Sequence, residues 1–125
     1  MKTSLLITIA LSLLLVGCSQ ERVVDFIQER NDGLFYVGNE EKPFTGQGSA
    51  YWDAEKTRKK AEANYKNGKR HGLRTGWYEN GQKKFEWNHK NGESHGLETG
   101  WYENGQKEYE WNWKDGKRVE KLCCD

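Results

Sequence analysis

The sequence predicts an all-β protein built as one sheet of tandem hairpins. Two observations predict it: a 24-residue segment repeated without a gap, and an Asn-Gly pair between β-prone segments of alternating polarity in each copy. Composition supplies a third. Charged residues make up 31% of the chain and hydrophobic ones 34%, a balance that would suggest disorder if the aromatic share were not 13%, with six Trp. Aromatic rings must therefore provide most of the burial. The chain's 125 residues are enough for one domain and too few for two independent cores.

In chain order, the first element is a leader. Met1, Lys2 and Thr3 form a short, singly charged start, and Leu5 to Val16 is an almost unbroken apolar run of 12 residues. That is the length of a signal-peptide core, short of the roughly 20 residues a bilayer-spanning helix needs. The run stops at Leu15-Val16-Gly17-Cys18, which looks like a lipobox: an aliphatic residue, two smaller ones, then the cysteine that receives a diacylglyceryl group. Residues 1–17 are expected to be a signal helix that is cleaved, leaving Cys18 as an acylated, palmitate-type first residue whose partner is membrane lipid. Two or three acyl chains hold far more firmly than a single myristoyl chain. The expected location is the cell envelope, outside the cytoplasm. Resemblance to Gram-negative lipoproteins implies that Ser19, in place of an Asp after the cysteine, favours the outer membrane. Removing the leader leaves 108 residues with 19 basic and 19 acidic side chains. Such a neutral chain lacks the field that recruits nucleic acid.

Residues 18–43 are read as the lipidated N-terminus and a capping hairpin, with short apolar runs at Val23 to Ile27 and Leu34 to Val37 around Asn31-Asp32-Gly33, before Glu40-Glu41-Lys42-Pro43 breaks the pattern. Residues 44–118 hold three repeats. Residues 71–94 and 95–118 match at 17 of 24 positions. A diverged earlier copy begins at Phe44-Thr45-Gly46, and its Lys59, Lys60 and Glu62 sit 24 positions before Lys83, Lys84 and Glu86. It carries about two extra residues between Trp52 and Lys59. Its segment 53–62 contains good helix formers, while its register with the later copies favours strand or extended loop.

Each clear repeat reads as one hairpin turning at Asn80-Gly81 or Asn104-Gly105, a type I′ signal in which both central residues need positive φ. The returning strand places Phe85, Trp87 and His89 on one face and Lys84, Glu86 and Asn88 on the other, repeated as Tyr109, Trp111 and Trp113 against Glu108, Glu110 and Asn112. A two-residue loop puts Gly76 opposite Phe85 and Gly100 opposite Tyr109, where a missing side chain lets the ring cover the backbone. Asn67-Gly68, Asn91-Gly92 and Asp115-Gly116 are second turns that return the chain for the next copy. Residues 119–125 form a tail.

The run Gly-x-x-x-Gly-Trp-Tyr-Glu-Asn-Gly-Gln-Lys, followed by an aromatic-rich strand and Lys-Asn/Asp-Gly, resembles the variant MORN repeat. The Pro43-Phe44-Thr45-Gly46 segment after Arg30-Asn31-Asp32-Gly33-Leu34-Phe35-Tyr36 shares the likeness. The chain is similar to bacterial proteins grouped as YwqK-like, a group that carries the label antitoxin. The resemblance covers about residues 23 to 118. It implies an elongated, twisted antiparallel sheet of hairpins acting as a scaffold or interaction surface, with no catalytic residues to carry over. The first repeat departs from the pattern, since Trp52-Asp53-Ala54-Glu55 replaces Tyr-Glu-Asn-Gly.

No Cys-x-x-Cys, His-Glu-x-x-His, nucleophile elbow or phosphate-binding glycine loop occurs, so the sequence offers no catalytic residue, metal ligand or cofactor. His71 and His95 occupy equivalent positions; an acid–base reading would require them to meet Glu98 in one pocket, and a linker histidine beside glycine is the plainer account. Glu86 and Glu110 read as solvated partners of Lys84 or of a neighbouring repeat. For Cys123 and Cys124 a vicinal disulfide, mixed disulfides and a frayed tail are all open. The candidate binding residues are aromatic: Trp77, Tyr78, Trp87, Trp101, Tyr102, Trp111 and Trp113. A thin sheet cannot bury both faces, and such a ladder serves core packing, a protein partner, or stacking on the sugars of a glycan or peptidoglycan.

Overall fold

The computed structural model describes residues 22–119. The signal helix, Cys18, and Cys123 with Cys124 lie outside the described residues. Within them are ten strands and no helix: β1 (Val23–Val24), β2 (Gln28–Glu29), β3 (Phe35–Tyr36), β4 (Gly46–Tyr51), β5 (Lys59–Lys66), β6 (Lys69–Trp77), β7 (Lys83–Lys90), β8 (Glu93–Trp101), β9 (Lys107–Lys114) and β10 (Lys117–Val119). Eight of them form one sheet in the order β1-β4-β5-β6-β7-β8-β9-β10, while β2 and β3 pair separately. All pairs are antiparallel except β1 with β4. This is the all-β sheet of successive hairpins that the repeat predicts.

Turn chemistry alternates along the sheet, in the opposite assignment from the one the Asn-Gly pairs suggest. Two-residue type I′ turns lie at Asn67-Gly68, Asn91-Gly92 and Asp115-Gly116, with φ of +48° to +51° at the first residue and +74° to +87° at the glycine. At Asn80-Gly81 and Asn104-Gly105 only the glycine is left-handed. There the Tyr78 N–H donates to the Gln82 carbonyl at 2.8 Å and the Gly81 N–H to the Tyr78 carbonyl at 3.0 Å, a three-residue loop made of a type I turn and a left-handed glycine. Asn80 stays right-handed while its side-chain oxygen accepts the Gln82 N–H at 3.0 Å. A bulge between Gly76 and Trp77 then restores the register, so Gly76 faces Phe85 and Gly100 faces Tyr109.

The helix-prone segment 53–62 is a loop followed by the start of β5. Asp53 organises the loop: its carboxylate accepts the backbone N–H groups of Thr57 at 2.9 Å and Arg58 at 2.8 Å, and the Thr57 hydroxyl. These hydrogen bonds, led by the hydroxyl's, hold the Asp53 pKa down at about 2. Lys56 takes the left-handed position, at φ +58°, that glycine fills in the later loops.

Hydrogen bonds between successive turns fasten the repeats at both ends. The N–H groups of Gly68, Gly92 and Gly116 donate to the carbonyls of Phe44, Arg70 and Ser94 at 2.7, 2.8 and 3.0 Å. At the opposite tips, the Tyr78 hydroxyl donates to the Trp101 carbonyl at 2.8 Å and the Asn80 side-chain amide to the Glu103 carbonyl at 3.1 Å.

The N-terminal segment differs from the expected capping hairpin in its first strand. The hairpin pairs Gln28–Glu29 with Phe35–Tyr36, whereas Val23–Val24 runs parallel to β4. The side-chain-free Gly46 and Gly48 permit this: the backbone at Arg22 lies against Gly46 and the Ile27 side chain against Gly48, and the Gln47 N–H donates to the Arg22 carbonyl at 2.9 Å. Phe44, 2% exposed, is the largest fully buried side chain among the described residues. With Phe35 it packs around Tyr65, at centroid distances of 5.8 and 4.9 Å.

A Cβ placed on Gly100 would sit 2.5 Å from Cζ of Tyr109. Gly100→Ala is therefore expected to cost about 1–3 kcal/mol in chemical denaturation, as overpacking does, and to cost much less in a Tyr109→Ala background; additive costs would show that the ring does not press on this strand. At the first loop, the Thr57 and Arg58 amide resonances should titrate with a midpoint near 2, because an Asp with a lowered pKa keeps its contacts above the ordinary value and loses them only as pH falls through the folded one. A midpoint near 4 would mean that Asp53 does not hold the loop.

Candidate functional site

Cross-strand register sorts the sheet into two faces of different chemistry. On one face Arg74 lies opposite Trp87, Trp87 opposite Glu98, and Glu98 opposite Trp111, an alternation of charge and ring across four strands. Phe85 and Trp87 are tilted with centroids 5.3 Å apart, and Tyr109 and Trp111 are stacked at 4.4 Å. The Arg74 guanidinium lies 4.9 Å from the Phe85 centroid and 5.3 Å from that of Trp87, and Arg118 lies 5.1 Å from Trp111. Trp111 is 38% exposed while Trp87 and Trp113 are half-buried. The Trp113 indole N–H is buried without a hydrogen-bond partner, a donor left over from the packing.

Two ionisable groups are buried beside the rings. Glu98 is 5% exposed and His89 8%. Burial, followed by the charges of Arg70 and Arg74, pushes the His89 imidazole below the usual histidine range. Burial likewise raises the Tyr109 hydroxyl.

The opposite face is a charged row. Ser49, Glu62, Thr75, Glu86, Thr99 and Glu110 lie opposite one another from β4 to β9. Glu62 pairs with Lys59, Glu86 with Lys83 at 2.6 Å and Glu110 with Lys107 at 2.5 Å. The carboxylates are thus held three residues away along their own strand, and Lys84, expected to serve Glu86, instead lies over the Tyr78 ring. Such exposed pairs are worth only a few tenths of a kcal/mol each.

The seven aromatic residues that the sequence offers as one set fall in three places. Trp87, Trp111 and Trp113 share the ladder face. Trp77 and Trp101 belong to the charged face, with the ammonium groups of Lys59 and Lys83 5.9 and 5.7 Å from their ring centroids. Tyr78 and Tyr102 stand at the tips; Tyr78 is spent on the next repeat, and Tyr102, in the last one, is 50% exposed. Sequence reasoning placed His89 on the ladder face with Phe85 and Trp87 but passed over Arg74 and Glu98. Their signal was present, since 74 and 98 are equivalent positions at which near-identical repeats carry opposite charges.

His71 and His95 brace turns. His71 Nδ1 accepts the Asn91 N–H at 3.4 Å, and His95 Nδ1 lies 3.5 Å from an Asp115 carboxylate oxygen without an aligned hydrogen bond. Both line a shallow depression of about 410 Å³ with His89, and Glu98 is not part of its lining. The convergence that an acid–base site would need is therefore not formed. Among the described residues, no group of three or more His, Cys, Asp or Glu side chains is placed to hold a metal.

The repeat geometry coincides with a known sequence family. Residues 70–91 and 94–115 match the MORN repeat variant. The two MORN-variant segments begin 24 residues apart and correspond to the β6–β7 and β8–β9 hairpins. Repeats of this kind are associated in general with protein or membrane interaction. No curated protein and no solved structure matches the chain. The β4–β5 hairpin lies outside the matched segments, and it is the one with the Asp53 loop and with Ala61 and Ala63 where the MORN-variant repeats carry paired rings.

Because the unfolded chain protonates its histidines near pH 6.5 while folded His89 stays neutral below that value, this residue costs stability as pH drops through 6.5, until the folded pKa is reached. His89→Gln should flatten that part of a denaturation series run from pH 8 to 5; an unchanged slope would assign the dependence to other groups.

Proposed function

We propose that the repeat sheet is a non-enzymatic scaffold, anchored at the cell envelope through acyl chains on Cys18, whose Phe85–Trp87 and Tyr109–Trp111–Trp113 ladder docks a protein partner. One observation carries this reading: the rings stand in register on a single face and Trp111 remains 38% exposed. Large rigid aromatics flanked by arginine are the side chains on which interface energy concentrates, because they bury much area at little entropic cost. Arg74 and Arg118 supply that flank. The leader ending in Leu15-Val16-Gly17-Cys18 supports the anchor. The YwqK-like resemblance supports a toxin as the partner, with this protein in an immunity-like role.

A second reading, from a different class, is glycan or peptidoglycan binding. It is favoured by the stacked Tyr109–Trp111 pair with Trp111 exposed, a flat ring platform of the kind on which sugars stack.

Crosslinking and pull-down from intact membranes, with the tagged lipidated protein against a Trp87→Ala/Trp111→Ala variant, separates the two. A protein captured by the parent and lost in the folded variant supports docking on the ladder. No captured protein, together with a tryptophan fluorescence change on adding peptidoglycan fragments, supports the glycan reading. Cys18→Ala should shift the protein out of the membrane fraction; retention there would overturn the lipid anchor.

A further inference from the structure

Toward its N-terminal end the ladder face is interrupted by a cleft of about 180 Å³. Asp25 and Ile27 form one wall, Gly48, Ala50, Ala61 and Ala63 the floor, and Tyr65, Arg70 and Arg74 the far end. Its origin is legible in the repeat phase. Ala61 and Ala63 hold the positions of Phe85 and Trp87 one repeat later, and of Tyr109 and Trp111 two repeats later. Replacing two rings by two methyl groups removes the side chains that would fill this space.

The charges around the cleft do not balance. The Arg70 guanidinium lies 4.8 Å from the Phe35 centroid, and Arg74 packs on Phe85 and Trp87. Neither has an ion-pair partner among the described residues, and Arg70 Nε is buried without any hydrogen-bond partner. Both carboxylates at the cleft are already engaged: Asp25 pairs with Lys56, and Glu62 with Lys59 and the Gln47 amide. Two guanidiniums crowded together with an unused buried donor are normally found opposite an oxyanion, since the planar fork matches it.

We propose that this cleft binds a single carboxylate carried on a short aliphatic stem, the carboxylate on Arg70 and Arg74 and the stem over Gly48, Ala61 and Ala63. The volume admits a side-chain-sized ligand and no larger one. A carboxylate fits better than a phosphate, because Asp25 at the opposite wall repels a second negative charge. The floor of glycine and alanine offers methyl and backbone contacts to methylene groups, with only the small Ser49 hydroxyl beside it. The source is either a free short-chain acid or a Glu side chain of a docked protein. The proposal stands independently of what occupies the ring ladder.

The test is an NMR titration of the full-length chain in detergent micelles, with arginine labelled at its side-chain nitrogens. Butyrate should shift the Arg70 and Arg74 Nε–H signals with saturation, while butyramide, its neutral isostere, should not. Inorganic phosphate should bind more weakly than butyrate. Arg74→Gln should weaken butyrate about tenfold or more, the loss of one charged hydrogen bond. Ala61→Leu, which narrows the cleft, should weaken it as well, with the fold verified through the ring-current shift of the Gly100 Hα protons under Tyr109, one repeat away from the substitution. A blocked Ala-Glu-Ala peptide binding more tightly than butyrate would place the carboxylate on a partner chain, and the reverse order would make this a small-acid site. An unsaturable butyrate response, an equal response to butyramide, a preference for phosphate, or full affinity in Arg74→Gln would each overturn the proposal.

Discussion

Phe85 lies over Gly76 on the neighbouring strand, and Tyr109 over Gly100, and the rest of the sheet depends on that contact. In a one-layer sheet there is no facing layer against which a ring can be buried, so the ring has to bury itself on backbone. Glycine alone leaves the backbone open to it. A slip of one residue would send every ring to the other face, among the Lys and Glu side chains, and put a side chain under each ring. The glycine therefore specifies register as well as packing. The bulge beside Gly76 and its copy beside Gly100 absorb the mismatch of a three-residue loop, so that loop chemistry and ring placement agree.

Repetition adds a second constraint, because each repeat completes its neighbour. Turn glycines donate hydrogen bonds one repeat back, and at the tips Tyr78 and Asn80 reach one repeat forward. Neither set is satisfied within a single hairpin. A short hairpin alone is marginal in water, and the stack gains stability by joining hairpins at both ends while leaving the faces free for binding. Such interlocking accounts for the conserved spacing between two copies that otherwise differ in charge on the ladder face.

The departures from the repeat fall where the N-terminal segment meets the sheet. In the first hairpin the rings give way to alanine, the glycine-centred loop gives way to one held by Asp53, and the Ile27 side chain comes to lie beside a floor too shallow to be a core, with Phe35 packed on Tyr65 and Arg70 at its far end. One face thus divides into a partly covered region with two unpaired arginines and an open region of stacked rings. Both regions come from a single 24-residue pattern, differentiated by a few substitutions at fixed positions.

The sequence by itself determined the strand content, the repeat length and the aromatic and charged faces of the returning strand, because period-two alternation is a local property of the chain. The pairing of Gly76 with Phe85, expected from a two-residue loop, holds because a bulge offsets the third loop residue. The sequence left the turn types assigned the wrong way round, since Asn-Gly suits both a type I′ turn and a type I turn followed by a left-handed glycine, and the choice rests on which backbone groups the flanking strands offer. Sorting Trp77 and Trp101 away from Trp87, Trp111 and Trp113 needed the cross-strand register: Gly76 and Gly100 lie on the ladder face, so the next residue along each strand falls on the charged one. The tertiary structure also brought Arg70, Arg74 and His89 together beside the N-terminal segment. Their closeness comes from pairing between strands and from a chain crossing residues far away in sequence, and no local pattern records either.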